Sequence, residues 1–178
     1  MQITYSLQNE DFLVHQLYVA SKSDRIKKKR VRSTFVPPII YLLIGLFLAY
    51  RDNSFVAIYL FGGLGILWFF LYPRLEKNRY RNHYLNFIKD NFQEKVGVTG
   101  TIDFEAEHIK MFDHATESKT SISEIKYVVN LPNHYLLRFK GNQVIIIPKK
   151  EVKSETEFFQ YFTSKNIEIK DELNWEWK

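Results

Sequence analysis

The chain contains no cysteine, and that absence alone excludes disulfides, thiol catalysis and zinc–thiolate sites and makes the protein indifferent to its redox compartment. Its histidines, His15, His83, His108, His114 and His134, form no H-x-x-x-H or H-E-x-x-H pair. His108 and His114 lie on what reads as one strand, roughly 20 Å apart, so no metal site is expected. The chain also lacks G-x-G-x-x-G, G-x-x-x-x-G-K-[ST] and G-x-S-x-G motifs. Gly62, Gly63 and Gly65 fall inside an apolar run, where they cannot cradle a phosphate. No cofactor and no catalytic residue is therefore expected. Asp103 and Glu105 share one face of a candidate strand, the one constellation compatible with general acid–base work, and solvated strand faces look the same.

Charge is missing from two long stretches. Residues 34–50 and 55–72 contain no Asp, Glu, Lys or Arg. As helices they would reach roughly 25–27 Å each, about one hydrocarbon core. A chain of 178 residues is too short to bury two such helices in tandem within a soluble core, so 34–72 is read as a two-helix transmembrane hairpin. The mean hydropathy of −0.26 is the average of a very apolar third and a polar remainder. With no charge inside either span, a channel or transporter built by this chain alone is disfavoured. No signal peptide is expected at the start, because Met1–Leu7 alternates apolar with polar residues.

The net charge of +5 is unevenly placed. Residues 24–32 hold six basic and one acidic residue and 73–96 hold six and three, whereas 97–178 hold eleven and thirteen. The folded C-terminal part is thus slightly acidic, which argues against a nucleic-acid partner and for lipid headgroups as counterions. Arg25, Lys27, Lys28, Lys29, Arg30 and Arg32, with Arg74, Lys77, Arg79 and Arg81 on the far side of the hairpin, are read as delocalised headgroup contacts. A polybasic flank gains about 1 kcal/mol per cation at an anionic surface. The connecting turn holds only Arg51 and Asp52, so the positive-inside rule places both termini in the cytoplasm of a two-pass cell-membrane protein.

In chain order, Ile3, Tyr5 and Leu7 alternate with polar residues as a short strand that needs a sheet to join. Asn9 is a plausible helix N-cap before Glu10 and Asp11, and 9–33 reads as one amphipathic to basic helix. Pro37-Pro38 marks the start of the first span. Gly45 with Ala49, and Gly62, Gly63 and Gly65, offer small faces for helix packing. A juxtamembrane helix continues over 73–95. From Val96 the period changes to 2, with candidate strands at 98–104, 108–113, 118–122, 126–131, 135–140 and 143–147, broken by Pro132-Asn133 and Gly141-Asn142. Ser154-Glu155-Thr156-Glu157 is a capping box that opens a helix bearing Phe158, Tyr161 and Phe162. The tail from Asn166 either packs on a sheet edge or is loosely ordered.

This order of parts resembles the bacterial YcxB-like membrane proteins. The resemblance is carried by the N-terminal Ile-Thr-Tyr-Ser-Leu strand with Asn9-Glu10-Asp11-Phe12, the hairpin, and then Gly100–Phe104, Ile122–Ile125 and Ile145–Lys149 ahead of the closing helix. One departure is Thr120-Ser121, where the family often carries an aromatic residue. The resemblance implies an α+β membrane protein whose soluble end, 96–178 joined by strand 1–8, is an antiparallel pleckstrin-homology-like β barrel or sheet closed by a C-terminal helix. It implies no catalytic residues. The function expected is that of a non-enzymatic membrane accessory protein, with membrane lipids and a protein segment at the cytoplasmic face as partners. The alternative is an enzyme acting on a lipid or headgroup substrate.

Overall fold

The structure, a computed structural model, describes every residue except His114, Ala115, Asn142 and Lys178. The chain divides into a β-rich unit, Met1–Gln16 with Leu85–Glu176, and a helical unit, Leu17–Tyr84 with Trp177. The fold class is α+β, with two four-stranded sheets and two long apolar helices.

In the β-rich unit, β1 (Gln2–Ser6), β2 (Thr99–Phe104), β3 (His108–Phe112) and β4 (Glu117–Ser121) form one antiparallel sheet in that order. The N-terminal strand is therefore a sheet member, with Ile3 opposite Ile102 and Tyr5 opposite Gly100. The second sheet has the order β7 (Val144–Pro148), β6 (His134–Phe139), β5 (Ile125–Asn130), β8 (Glu168–Asp171). Alternation puts Ile3, Ile102, Phe104, Ile109, Val128, Tyr135, Leu137 and Ile147 into one core. Helix α4 (Glu155–Thr163) adds Phe158 and Phe162 to that core. The serine of the expected capping box caps the helix: Ser154 Oγ accepts from the Glu157 amide at 3.2 Å. The Tyr135 ring stacks on Phe158 at 4.3 Å between centroids, and its hydroxyl donates to Glu155 at 2.7 Å. Burial and the Glu155 carboxylate push that phenol well above its ordinary range.

Two expectations are corrected here. The sheets do not close into a barrel. The chain leaves β4 through a 3-10 turn, Ile122–Glu124, and the outer edge of β5 is taken by β8. Nor is the architecture wholly antiparallel. Helix α4 returns the chain to the opposite end of the sheet, so β8 runs parallel to β5, pairing Val128 with Ile169. The tail is thus a sheet edge as far as Asp171, and the Glu172 amide donates to Asn130 O at 2.9 Å. At Thr120-Ser121 no aromatic is needed. Ser121 Oγ caps the 3-10 turn, and Ile122 and Ile125 both reach the core.

The other face of the second sheet is buried too, through Val129, Leu136 and Ile146. The first half of α1 (Asn9–Lys22) meets this face, where Asp11 Oδ1 lies 2.7 Å from His134 Nε2. Asn9 is already helical, and the capping contact is the Gln8 amide donating to Asp11 Oδ2 at 2.7 Å, because the carboxylate reaches back to an amide that lacks a helical partner. Gly97, at φ +79°, turns the chain into β2 and donates its amide to Leu7 O at 2.8 Å.

In the helical unit, residues 9–33 are not one helix. Lys22 ends α1, and Ser23, in extended conformation, starts α2 (Asp24–Asp52). Nor does a helix begin at Pro37-Pro38, since both prolines lie inside α2. Helix α3 (Val56–Phe92) follows a turn in which Asn53 adopts the left-handed conformation and Arg51 pairs with Asp52 through two hydrogen bonds of 2.7 and 3.0 Å. The two helices meet antiparallel through Gly45 against Ala57, Ile58 and Phe61, and through Gly65 against Pro38. A methyl group added at Gly62 or Gly63 would meet no neighbouring group within 4 Å, so only Gly65 of that trio serves the contact.

Candidate functional site

A proline inside a helix frees the carbonyl four residues earlier. For Pro37 that carbonyl belongs to Ser33, and the Trp68 indole Nε1 on α3 donates to it at 3.3 Å. This cross-helix bond lies at the foot of the apolar stretch, where the basic flanks begin. One turn before it on α2, Arg30 Nε reaches Glu76 Oε2 at 3.0 Å, and Tyr72 on α3 donates to the other carboxylate oxygen at 3.3 Å. Glu76 is 6% exposed, so its charge is removed from water and stabilised by Arg30. The Arg30 guanidinium in turn lies 4.7 Å from the centre of the Trp177 ring, which also meets Tyr80 edge-on at 5.5 Å.

The structure therefore divides the ten basic residues singled out from the sequence. Arg30 is held by a buried carboxylate. Lys29 and Arg79 line a cavity of about 280 Å³ together with Ser33, Tyr72, Glu76, Tyr80 and His83. Arg25, Lys27, Lys28, Arg32, Arg74, Lys77 and Arg81 are exposed elsewhere on α2 and α3, with Lys27 4.0 Å from Asp24. Glu76 carries no role in the sequence reading. A single acid within the basic run 73–81 was the available signal for Glu76.

The β-rich unit has a cleft of about 550 Å³ where the chain crosses from β4 to β5, lined by His108, Ser121, Ser123, Lys126 and Lys165. His108 and Ser121 are register partners across β3 and β4. The polar groups there satisfy one another. Ser121 Oγ and Ser123 Oγ are 2.8 Å apart, and Lys165 Nζ donates to Ala106 O at 2.5 Å. No hydrogen bond joins a serine to His108 among the described residues, so the cleft lacks the nucleophile–base contact of an activated hydroxyl. Of the acid pair, Glu105 is ion-paired with Lys110, which holds its carboxyl below the usual range, and Asp103 lies opposite the same lysine in register. A carboxylate held down in this way is a poor proton carrier near neutral pH. His114 lies outside the described residues.

The fold and these sites define the class as an α+β chain in which a two-sheet β-rich unit is interrupted in sequence by an apolar helical hairpin with a basic, partly buried polar foot. A family model described as YcxB-like protein matches residues 104–163, from the end of β2 through α4, about a third of the chain. No curated protein and no solved structure matches.

Proposed function

We propose that this chain is a non-enzymatic integral membrane accessory protein, anchored by the α2–α3 hairpin and displaying a pleckstrin-homology-like interaction unit at the cytoplasmic face. The observation that carries the reading is the surface of the hairpin. Leu43, Phe47, Ile66 and Phe70 are each at least 60% exposed, along two helices long and apolar enough to cross a bilayer. Water disfavours such a surface, whereas lipid tails accommodate it. The exposed cations beside it act as delocalised headgroup contacts, and the turn adds no uncompensated cation, since Arg51 is paired with Asp52. The β-rich unit supports the pleckstrin-homology-like reading through seven strands followed by a capped helix, and it supports a binding role because its cleft offers polar surface without an activated nucleophile. Its expected partner is a protein segment. Reporter fusions at Asn53 and Lys178 test the anchor and its orientation. External Asn53 and cytoplasmic Lys178 are expected, and either opposite result overturns it.

The alternative, an enzyme acting on a lipid headgroup, is favoured only by His108 and Ser121 facing each other across β3 and β4. Headgroup turnover abolished by His108→Ala and by Ser121→Ala, with the fold retained, would establish it in place of the accessory role.

A further inference from the structure

The cavity at the foot of the hairpin is unlike the rest of the basic surface, because the acid in its lining is already charge-paired. Glu76, the only acid lining it among the described residues, is taken up by Arg30 and Tyr72. Lys29 and Arg79 are not ion-paired among the described residues. Tyr80 and His83 add further polar groups to the lining. The walls are also set. The Arg30 side chain is clamped between Glu76 and Trp177, and Trp68 ties α3 to Ser33. Two uncompensated cations in a concave site match a group carrying close to two negative charges, and a phosphate monoester carries about −1.5 to −2 near neutral pH. A diester carries one, and a carboxylate offers fewer acceptor oxygens for the same donors.

We propose that this cavity is a discrete binding site for a phosphate monoester, held by Lys29 and Arg79 with Tyr80 and His83 beside them, and that its source is the headgroup of a membrane lipid bearing a terminal phosphate. The site rests on the membrane reading above for its source but not for its chemistry. The other exposed cations attract anionic lipid without regard to headgroup, and this cavity selects among headgroups.

The test uses the full chain in nanodiscs of phosphatidylcholine containing either phosphatidic acid or phosphatidylglycerol at matched surface charge, with retained lipid counted by native mass spectrometry. A parallel arm titrates inorganic phosphate into the detergent-solubilised chain and follows tryptophan fluorescence. Phosphatidic acid should be retained over phosphatidylglycerol, and Lys29→Gln or Arg79→Gln should each lower that preference about tenfold, the scale of one charge-assisted hydrogen bond. The same charge removed at Arg25 or Arg74 should weaken both lipids alike and leave the preference standing. Equal retention of the two lipids, or equal effects from all four substitutions, overturns the site. Inorganic phosphate that binds and is lost in K29Q supports the chemistry, and if it fully reproduces the lipid's affinity the source is free phosphate. Failure of the chain to enter nanodiscs of any composition sinks the membrane reading, and the phosphate titration then decides the cavity independently.

Discussion

Trp68 donates its indole N–H to Ser33 O across 3.3 Å, and Ser33 O is the carbonyl that Pro37 deprives of its helical partner. The proline's cost to α2 is thereby offset by a side chain on α3, and the same bond fixes the register of the hairpin. Removing the donor alone should leave a carbonyl unpaired. Trp68→Phe is expected to destabilise the hairpin by about 1–2 kcal/mol. In a Pro37→Ala background, residue 37 regains an amide for Ser33 O, and the effect should shrink by about 1 kcal/mol. Unfolding from mixed micelles measures all four corners of this cycle. Additive effects would show that the indole contributes by packing only.

The Arg30–Glu76 pair should respond asymmetrically. Arg30→Gln strands a carboxylate that is 6% exposed and is expected to cost about 3 kcal/mol. Glu76→Gln leaves a half-buried guanidinium that still reaches Trp177 and is expected to cost less. The double substitution should recover part of the loss. Equal costs for the two single changes would contradict burial of Glu76 as the cause.

Strand β1 completes the first sheet and contributes Ile3, 3% exposed, to the core. Ile3→Ala should therefore lower the stability of the β-rich unit by about 2–4 kcal/mol. Removal of residues 1–8 should lower it further, since the β2 edge and its core face are then both open. The reading fails if thermal denaturation of the truncated chain shows an unchanged transition for the β-rich unit.

His15 provides a pH handle. Burial, assisted by the nearby charge of Arg138, lowers its pKa from 6.5 to about 4, and its Nε2 has no hydrogen-bond partner among the described residues. The unfolded chain binds this proton more readily than the folded one between those values, so stability rises with pH across the window. The contribution is fully present above about pH 6.5 and is lost as pH falls toward 4, amounting to about 3 kcal/mol at most. Denaturant midpoints of the wild type and of His15→Gln, compared from pH 7 to 4, should diverge from that expected at neutral pH by a steeper acid loss in the wild type. Parallel profiles would place the acid sensitivity elsewhere.

Much of the architecture was legible because it rests on patterns that local chemistry imposes. Two uncharged runs long enough for a bilayer, the change of period at Val96, and Ser154 three residues before Glu157 each announce an element through its own residues. The strands observed at 99–104, 108–112 and 134–139 lie within a residue or so of where alternation placed them. What alternation cannot register is which strand edges meet. Sheet closure depends on contacts between residues far apart in sequence, and the turn at Ile122–Glu124 together with the arrival of β8 at β5 decided against a barrel.

The candidate site divides along the same line. The sequence by itself determined that cations flank the hairpin, because composition and order are enough to count charge on either side of an apolar run. Only the tertiary structure decided what each cation lies against. Arg30 and Arg32 are both arginines of one cluster, yet the helical turn of about 100° per residue points Arg30 at a buried carboxylate on α3 and leaves Arg32 exposed. Glu76 is one acid among basic neighbours in the chain, and it becomes the centre of a site because the antiparallel pairing of α2 and α3, set by Gly45, Gly65 and the Trp68–Ser33 bond, brings it level with Arg30.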